Sequence, residues 1–275
     1  MLSLHTNAAS LSTQNSLAST NKALSSSMTK LGTGYRVNSA MDDAAGLQIA
    51  TRLNAQTSGM KVAQKNTQNG ISMLQTAEGA LNEVNNMMMR MKDLATEAAT
   101  ATSSAADKTA MDAEFDALAT EIDSIMTNTK FGGQALLTGG TFAASATFQI
   151  GASGSETYAF NATADMTALA TAIPALKGGD ITAAGNAVIA LADTASAAVG
   201  TVRSSMGAAA NRLEHVYNNL GNMIQNTEAA KGRIMDVDYA SETANMTNKQ
   251  MLMQASTSML KQSSSMSQMV ASLLQ

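Results

Sequence analysis

One helical seam constrains this chain more than anything else in it. Between Met60 and Ala98, alternating steps of three and four land on Met60, Ala63, Thr67, Gly70, Leu74, Ala77, Leu81, Val84, Met88, Met91, Ala95 and Ala98. Ten of these twelve positions are apolar, and the rhythm never slips. That pattern buries a narrow stripe of a long α-helix against partner helices. At the α-helical rise per residue, the segment is roughly 58 Å long. A globule of this size seldom needs such a helix, whereas a rod does.

The side chains available suit thin helix–helix seams. Aromatic residues make up 3% of the 275, Trp is absent, and the apolar content comes from Ala, Leu and 21 Met. A thick core leans on large aromatic rings instead. Pro174 is the only proline, so little interrupts the helices. The absence of Cys excludes disulfides, thiolate–zinc sites and thiol catalysis. No run of about 18 apolar residues occurs, so no membrane insertion is expected. The start, MLSLHTNAASLSTQNS, lacks a basic segment followed by a continuous apolar one, so a Sec signal peptide is not expected. The net charge of −4 gives no nucleic-acid footprint.

The two ends share an unusual charge pattern. Residues 1–35 hold no acid and only Lys22 and Lys30. Residues 243–275 hold no acid and only Lys249 and Lys261. The ends thus carry +4, leaving −8 on residues 36–242. Large apolar residues recur every seven: Leu4 and Leu11, then Leu17, Leu24 and Leu31. At the other end two series run side by side, Leu252, Met259, Met266, Leu273 and Met246, Met253, Leu260, Ser267, the second followed seven residues later by Leu274. A helix in water normally shows a charged face. A polar but uncharged face suits contact with protein, where a charge would need a partner. Flexible Ser/Thr/Gln-rich tails are the competing reading, and the two combine if the ends order only on assembly.

Between the ends, Gly32 and Gly34 break the first helix, and Asn38 and Ser39 are cap candidates ahead of Asp42 and Asp43. After the long helix a second one carries Met111, Phe115, Leu118, Ile122 and Ile125 at helical spacing and ends near Asn128–Gly133. Residues 131–165 change character. Thr147–Ile150 and Thr157–Phe160 alternate polar and apolar across a Gly/Ser stretch, which reads as a β-hairpin capping the rod. Residues 165–178 suggest a short helix and turn. A heptad then returns from Asp180 to about Ile234, before Asp236–Asp238 leads into a last helix. The expected fold is mainly α: an elongated antiparallel bundle or coiled coil with a small hairpin, its terminal helices forming a second coiled coil.

Catalytic chemistry finds little material. His5 and His215 are the only histidines. Asp42-Asp43 are adjacent and point to different sides of a helix, so they read as helix-start acids. Asp236-x-Asp238 lacks the other ligands of a calcium loop. Gly32-x-Gly34 lacks the third glycine and leading strand of a dinucleotide motif. No cofactor, metal or enzymatic role is expected. The methionines form two groups, Met87, Met88, Met89 and Met91, then Met246, Met251, Met253, Met259, Met266 and Met269. These read first as seam residues, adaptable enough to accept more than one packing.

Several blocks resemble a known family. Leu31–Leu53 (LGTGYRVNSAMDDAAGLQIATRL), Asn69–Val84 (NGISMLQTAEGALNEV), Gly207–Leu220 (GAAANRLEHVYNNL), Arg233–Ala244 (RIMDVDYASETA) and the ending Ser272–Gln275 are similar to the terminal signatures of bacterial flagellins. The resemblance covers roughly residues 1–140 and 180–275. It implies a structural subunit that polymerises into the flagellar filament for swimming, without enzymatic activity. It also implies export through the flagellar type III apparatus with an export chaperone, addition beneath a cap protein, and contact with hook–filament junction proteins. Residues 1–40 and 237–275 would then form the inner-tube domain, and 41–236 the helical rod of the outer tube, with the hairpin at about 131–165. Switching of protofilaments between two packings would supply the supercoil. The polymerisation interface would include Leu4, Leu11, Leu17, Leu24, Leu31, Met246, Leu252, Met253, Met259, Leu260, Met266, Leu273 and Leu274. The centre, about 141–179, is short, so no large variable outer domain is expected. The family positions for contact with the innate receptor Toll-like receptor 5 fall on Arg90, Leu94 and Glu114, with Lys92 and Asp93 as charge-keeping neighbours. A surface-displayed adhesin or polysaccharide-binding protein on the same scaffold is the alternative. Only four Tyr and five Phe are available to stack on sugars.

Overall fold

The computed structural model describes residues 7–273, the side chains of 267, 268 and 270–273 excepted. The described residues form helices α1 (Ala8–Thr33), α2 (Ala44–Ala98), α3 (Ala105–Asn128), α4 (Thr163–Lys177), α5 (Ile181–Met235) and α6 (Tyr239–Leu273). Two small antiparallel pairs lie between α3 and α4: β1 (Lys130–Phe131) with β2 (Gln134–Ala135), and β3 (Ser145–Gln149) with β4 (Thr157–Asn161). The chain divides into two compact units, 56–225 and the paired ends 1–55 with 226–275.

In the 56–225 unit, all twelve positions of the Met60–Ala98 seam are buried. Their partners on α5 include Val188, Ala195, Val199, Val202, Ala209 and Leu213, also at helical spacing. The two helices run antiparallel, as their cross-links show. Gln64 reaches the Tyr217 carbonyl, Glu78 accepts from Arg203 at 2.7 Å, Asn85 accepts from Ser196, and Lys92 meets Asp193 at 2.6 Å. Phe115, Ala119, Ile122 and Met126 of α3 and Met166, Leu169, Ile173 and Leu176 of α4 complete the core. Ser104 and Asp107 close a reciprocal capping box at the start of α3.

The long helix begins sixteen residues before Met60, the start expected from the sequence, at Ala44. The same face continues backward through Gly46, Ala50 and Thr57, all buried, but with residues too small or polar to mark a seam. The cap also differs from expectation. The Asp43 carboxylate accepts from the Gly46 amide at 2.8 Å and starts the helix, whereas Asp42 accepts from the amides of Asn38 and Ser39 and ties the preceding loop.

The hairpin pairs Ala146 with Phe160 and Phe148 with Tyr158. It lies along the side of α2 and does not cap the bundle. A Cβ on Gly70 would come within 3.0 Å of the Phe148 ring, so that glycine leaves room for the ring in mid-helix. Tyr158 stacks with Phe148 and carries the Arg212 guanidinium 4.4 Å above its ring.

By length and composition α5 passes the threshold for a membrane-crossing helix, with a mean hydropathy of 1.2 over one window. Thr, Ser, Asn and Asp residues interrupt its apolar runs. Its larger apolar residues Ile181, Val188, Val199 and Val202 are buried in the protein's own core, and Ile189 and Leu191 are partly buried against it.

Candidate assembly interface

The ends of the chain are tied together first at their turns. Thr33 ends α1, and Gly34 follows at φ 76°, a left-handed conformation in which its N–H closes the helix on the Lys30 carbonyl. A side chain there would also approach the Tyr239 hydroxyl within 2.9 Å. The two turns then pair. Tyr35 and Asp236 form a bridge, the Arg36 amide donates to the Met235 carbonyl, and the Val237 amide donates to the Gly34 carbonyl. Asp238 accepts from the Ala240 amide and the Ser241 hydroxyl, capping α6. Asp236 and Asp238 thus serve a turn and a cap, and among the described residues no cluster has metal-ligand character.

From this anchor α1 and α6 run side by side, antiparallel. The Asn7 side chain donates to the Ser263 hydroxyl at 3.1 Å, and Lys249 Nζ donates to the Ser27 hydroxyl at 2.8 Å. The shielded positions on α1 include Ser10, Thr13, Leu17, Thr20, Leu24, Ser27 and Leu31, with Ala23 and Lys30 beside them. On α6 they are Met246, Lys249, Met253, Ser256, Leu260 and Ser263. Both sets step by three and four. Apolar residues therefore alternate with Ser, Thr and one Lys, and only Leu24 and Ser27 on α1 are fully buried.

This geometry separates the residues singled out in the sequence into two faces. Leu17, Leu24, Leu31, Met246, Met253 and Leu260 pack between the two helices. Leu11, Leu252, Met259 and Met266 point outward, and Met28, Met251 and Met269 join them. On α6 the five outward residues are 49% to 64% exposed. At about 100° per residue they fall within an arc of roughly 100°, beside the seam face and distinct from it. Leu4 and Leu274 lie outside the described residues, as does the side chain of Leu273. The sequence offered Met251 and Met269 only as members of a methionine group, and gave no signal for Met28. A heptad marks spacing but not which of two parallel series meets the neighbouring helix.

The candidate receptor residues do not share a surface. Arg90 and Glu114 form an ion pair at 2.8 Å between α2 and α3, with side chains 53% and 46% exposed. Leu94 is 2% exposed and belongs to the core of the 56–225 unit. The expectation that it contacts a partner is corrected here: it occupies a seam-flanking position, where a leucine packs inward.

The chain is similar to known proteins along most of its length. The family model described as the bacterial flagellin N-terminal helical region matches residues 4–141, and that of the C-terminal helical region matches 189–274. A flagellin of Halalkalibacterium halodurans is 41% identical over 248 residues, covering 90% of each chain. A flagellin of Bacillus subtilis is 38% identical, with 98% of each chain covered. The crystal structure of Bacillus cereus flagellin aligns with a TM-score of 0.49 at 30% identity, covering 57% of this chain and 88% of the other. With both of its helical ends matched and relatives at this identity along nearly its whole length, the chain belongs to the bacterial flagellin family, whose members are structural subunits of the flagellar filament, an extracellular appendage.

Proposed function

We propose that this subunit makes its intermolecular joints through α1 and α6. The observation that carries the reading is the outward apolar stripe of Leu252, Met259 and Met266 with Met251 and Met269, on a helix that holds no acid after Glu242. Exposed apolar rows of this kind are unfavourable in water and mark interaction surfaces. With Leu11 and Met28 on α1, the paired ends have apolar faces left over after pairing with each other. Copies of the same chain satisfy them, because identical uncharged faces meet without stranding a charge. On this reading 1–40 with 237–275 form an inner tube, and 41–236 form the rod around it, without a large outer domain. Removal of residues 243–275 is expected to abolish elongation from filament seeds while the thermal transition of the 56–225 core persists. A truncated chain that still elongates seeds overturns the proposal.

The same reading makes an export chaperone, the flagellar type III export apparatus, the cap and the hook–filament junction proteins the partners of this chain, and secretion its route outward. A contact with Toll-like receptor 5 is proposed for Arg90 and Glu114 alone, since Leu94 is buried. Arg90→Ala is expected to abolish receptor signalling in reporter cells and leave seeded elongation intact. Equal signalling by variant and parent refutes it.

A further inference from the structure

We propose that the outward methionines of α6, Met251, Met259, Met266 and Met269, are an oxidation site that controls whether a free subunit joins the filament; this rests on α6 being an assembly surface. Four of the outward apolar residues of this helix are thioethers, within nineteen residues of one another and 49% to 64% exposed. Susceptibility to oxidation follows exposure. Met246 and Met253, on the same helix, are partly shielded against α1 and serve as internal comparators.

The chemistry needs a peroxide and nothing else. A methionine sulfur lone pair attacks one peroxide oxygen, the S–O bond forms and the O–O bond breaks. The departing oxygen leaves as water after proton transfer. The sulfur loses two electrons and the peroxide gains them. The product sulfoxide is polar and chiral where the surface had been apolar and pliable. A face that joins copies by excluding water then carries strong hydrogen-bond acceptors in place of apolar sulfurs, and burying each costs free energy unless it finds a donor. The assembled subunit keeps its sulfurs inside the joint and is protected. Reduction of the sulfoxide by a sulfoxide reductase restores the surface.

The test uses the full chain. Monomer is treated with hydrogen peroxide, sulfoxides are mapped by peptide mass spectrometry, and elongation of untreated seeds is followed by sedimentation. Wild type is expected to lose elongation by roughly tenfold or more, since a tenfold change needs less than one fully buried apolar side chain. The loss should track sulfoxide at the four positions. The variant M251L/M259L/M266L/M269L keeps apolar volume without an oxidisable sulfur, and is expected to elongate equally before and after peroxide. Met41, in the loop before α2, is 92% exposed and reacts readily, so M41L should leave the sensitivity unchanged. Normal elongation by wild type fully oxidised at the stripe overturns the proposal, as does peroxide loss in the leucine variant equal to that of wild type. If that variant does not elongate untreated, peroxide mapping of wild-type filaments decides. Protection of the four sulfurs relative to monomer supports the site, and equal oxidation overturns it. Failure of untreated wild type to elongate overturns instead the assembly reading beneath it.

Discussion

The 56–225 unit and the paired ends use the same heptad rhythm with opposite results. In the first, the seam of α2 is met by α5, α3 and α4, and its large side chains Leu74, Leu81, Met88 and Met91 are essentially removed from water. In the second, α1 and α6 meet each other along a face where apolar residues alternate with Ser, Thr and Lys249, and a second apolar series remains outside. The difference is one of partner number. A helix with several neighbours has more than one face covered, although Val62 and Met89 of α2 stay exposed, whereas a helix with one neighbour buries one series. On the proposed assembly, the second series of α6 is what a further copy meets. That proposal gives stability and assembly to different parts of one chain.

The largest test of that division is a matched pair of substitutions. Leu81→Ala, at a fully buried position, is expected to destabilise the subunit by about 2–5 kcal/mol in denaturant unfolding. Leu252→Ser, on the outward face, is expected to stay within about 0.5 kcal/mol of the parent in the same measurement. The ranking should invert in seeded elongation of folded protein, where Leu252→Ser is the more damaging. Equal effects of both variants in both assays would break the comparison.

A smaller effect sharpens what holds the ends to each other. Lys249 donates to the Ser27 hydroxyl and to the Ala23 carbonyl at 3.4 Å, so it links the two helices at a fixed register. A lone Lys on a seam specifies alignment at some cost in stability. Lys249→Ala is expected to lower protection of the α1 and α6 amides by about 1–2 kcal/mol in hydrogen exchange, leaving α2 and α5 amides in the 56–225 unit unchanged. Unaltered exchange in α1 would show that the turn bridge at Tyr35 and Asp236 suffices.

The smallest effect is pH dependence. Asp42 is held below the usual carboxylate range by the Asn38 amide and then by the Ser39 amide. Asp107, Asp180 and Asp238 are lowered first by the hydroxyls of Ser104, Thr182 and Ser241. A carboxylate with a lowered folded-state pKa stabilises the fold above its unfolded value, and that contribution disappears as pH falls through the folded one. Asp112 is opposite. Burial, then Asp116 and Asp180, raise its pKa, so protonation favours the folded state. Thermal midpoints are expected to hold near neutrality and fall below about pH 4. Asp112→Asn should remove the small opposing gain and steepen the acid loss. A midpoint that rises on acidification contradicts the roles given to these four aspartates.

Much of the architecture was legible because its signals are local. The seam from Met60, the Phe115–Ile125 spacing and the alternation at Thr147–Ile150 and Thr157–Phe160 each follow from side-chain period. The start of α2 was not legible, because Gly46, Ala50 and Thr57 are buried without being large. The seat of the hairpin was not either, since only close packing explains why Gly70 stands opposite Phe148. For the interface, both heptad series of α6 could be read, but not which of them faces out. Leu94 came from the family resemblance, which gives a position in the chain but not its burial, and the neighbours that bury it come from elsewhere in the chain.

By itself the sequence determined helical periodicity and the acid-free ends, because these depend only on residue type and spacing. The tertiary structure decided which apolar series is core and which is surface, which aspartate caps which helix, and that Arg90 and Glu114 are exposed while Leu94 is not. Burial is a property of what a neighbouring element covers, and that depends on contacts between residues far apart in the chain.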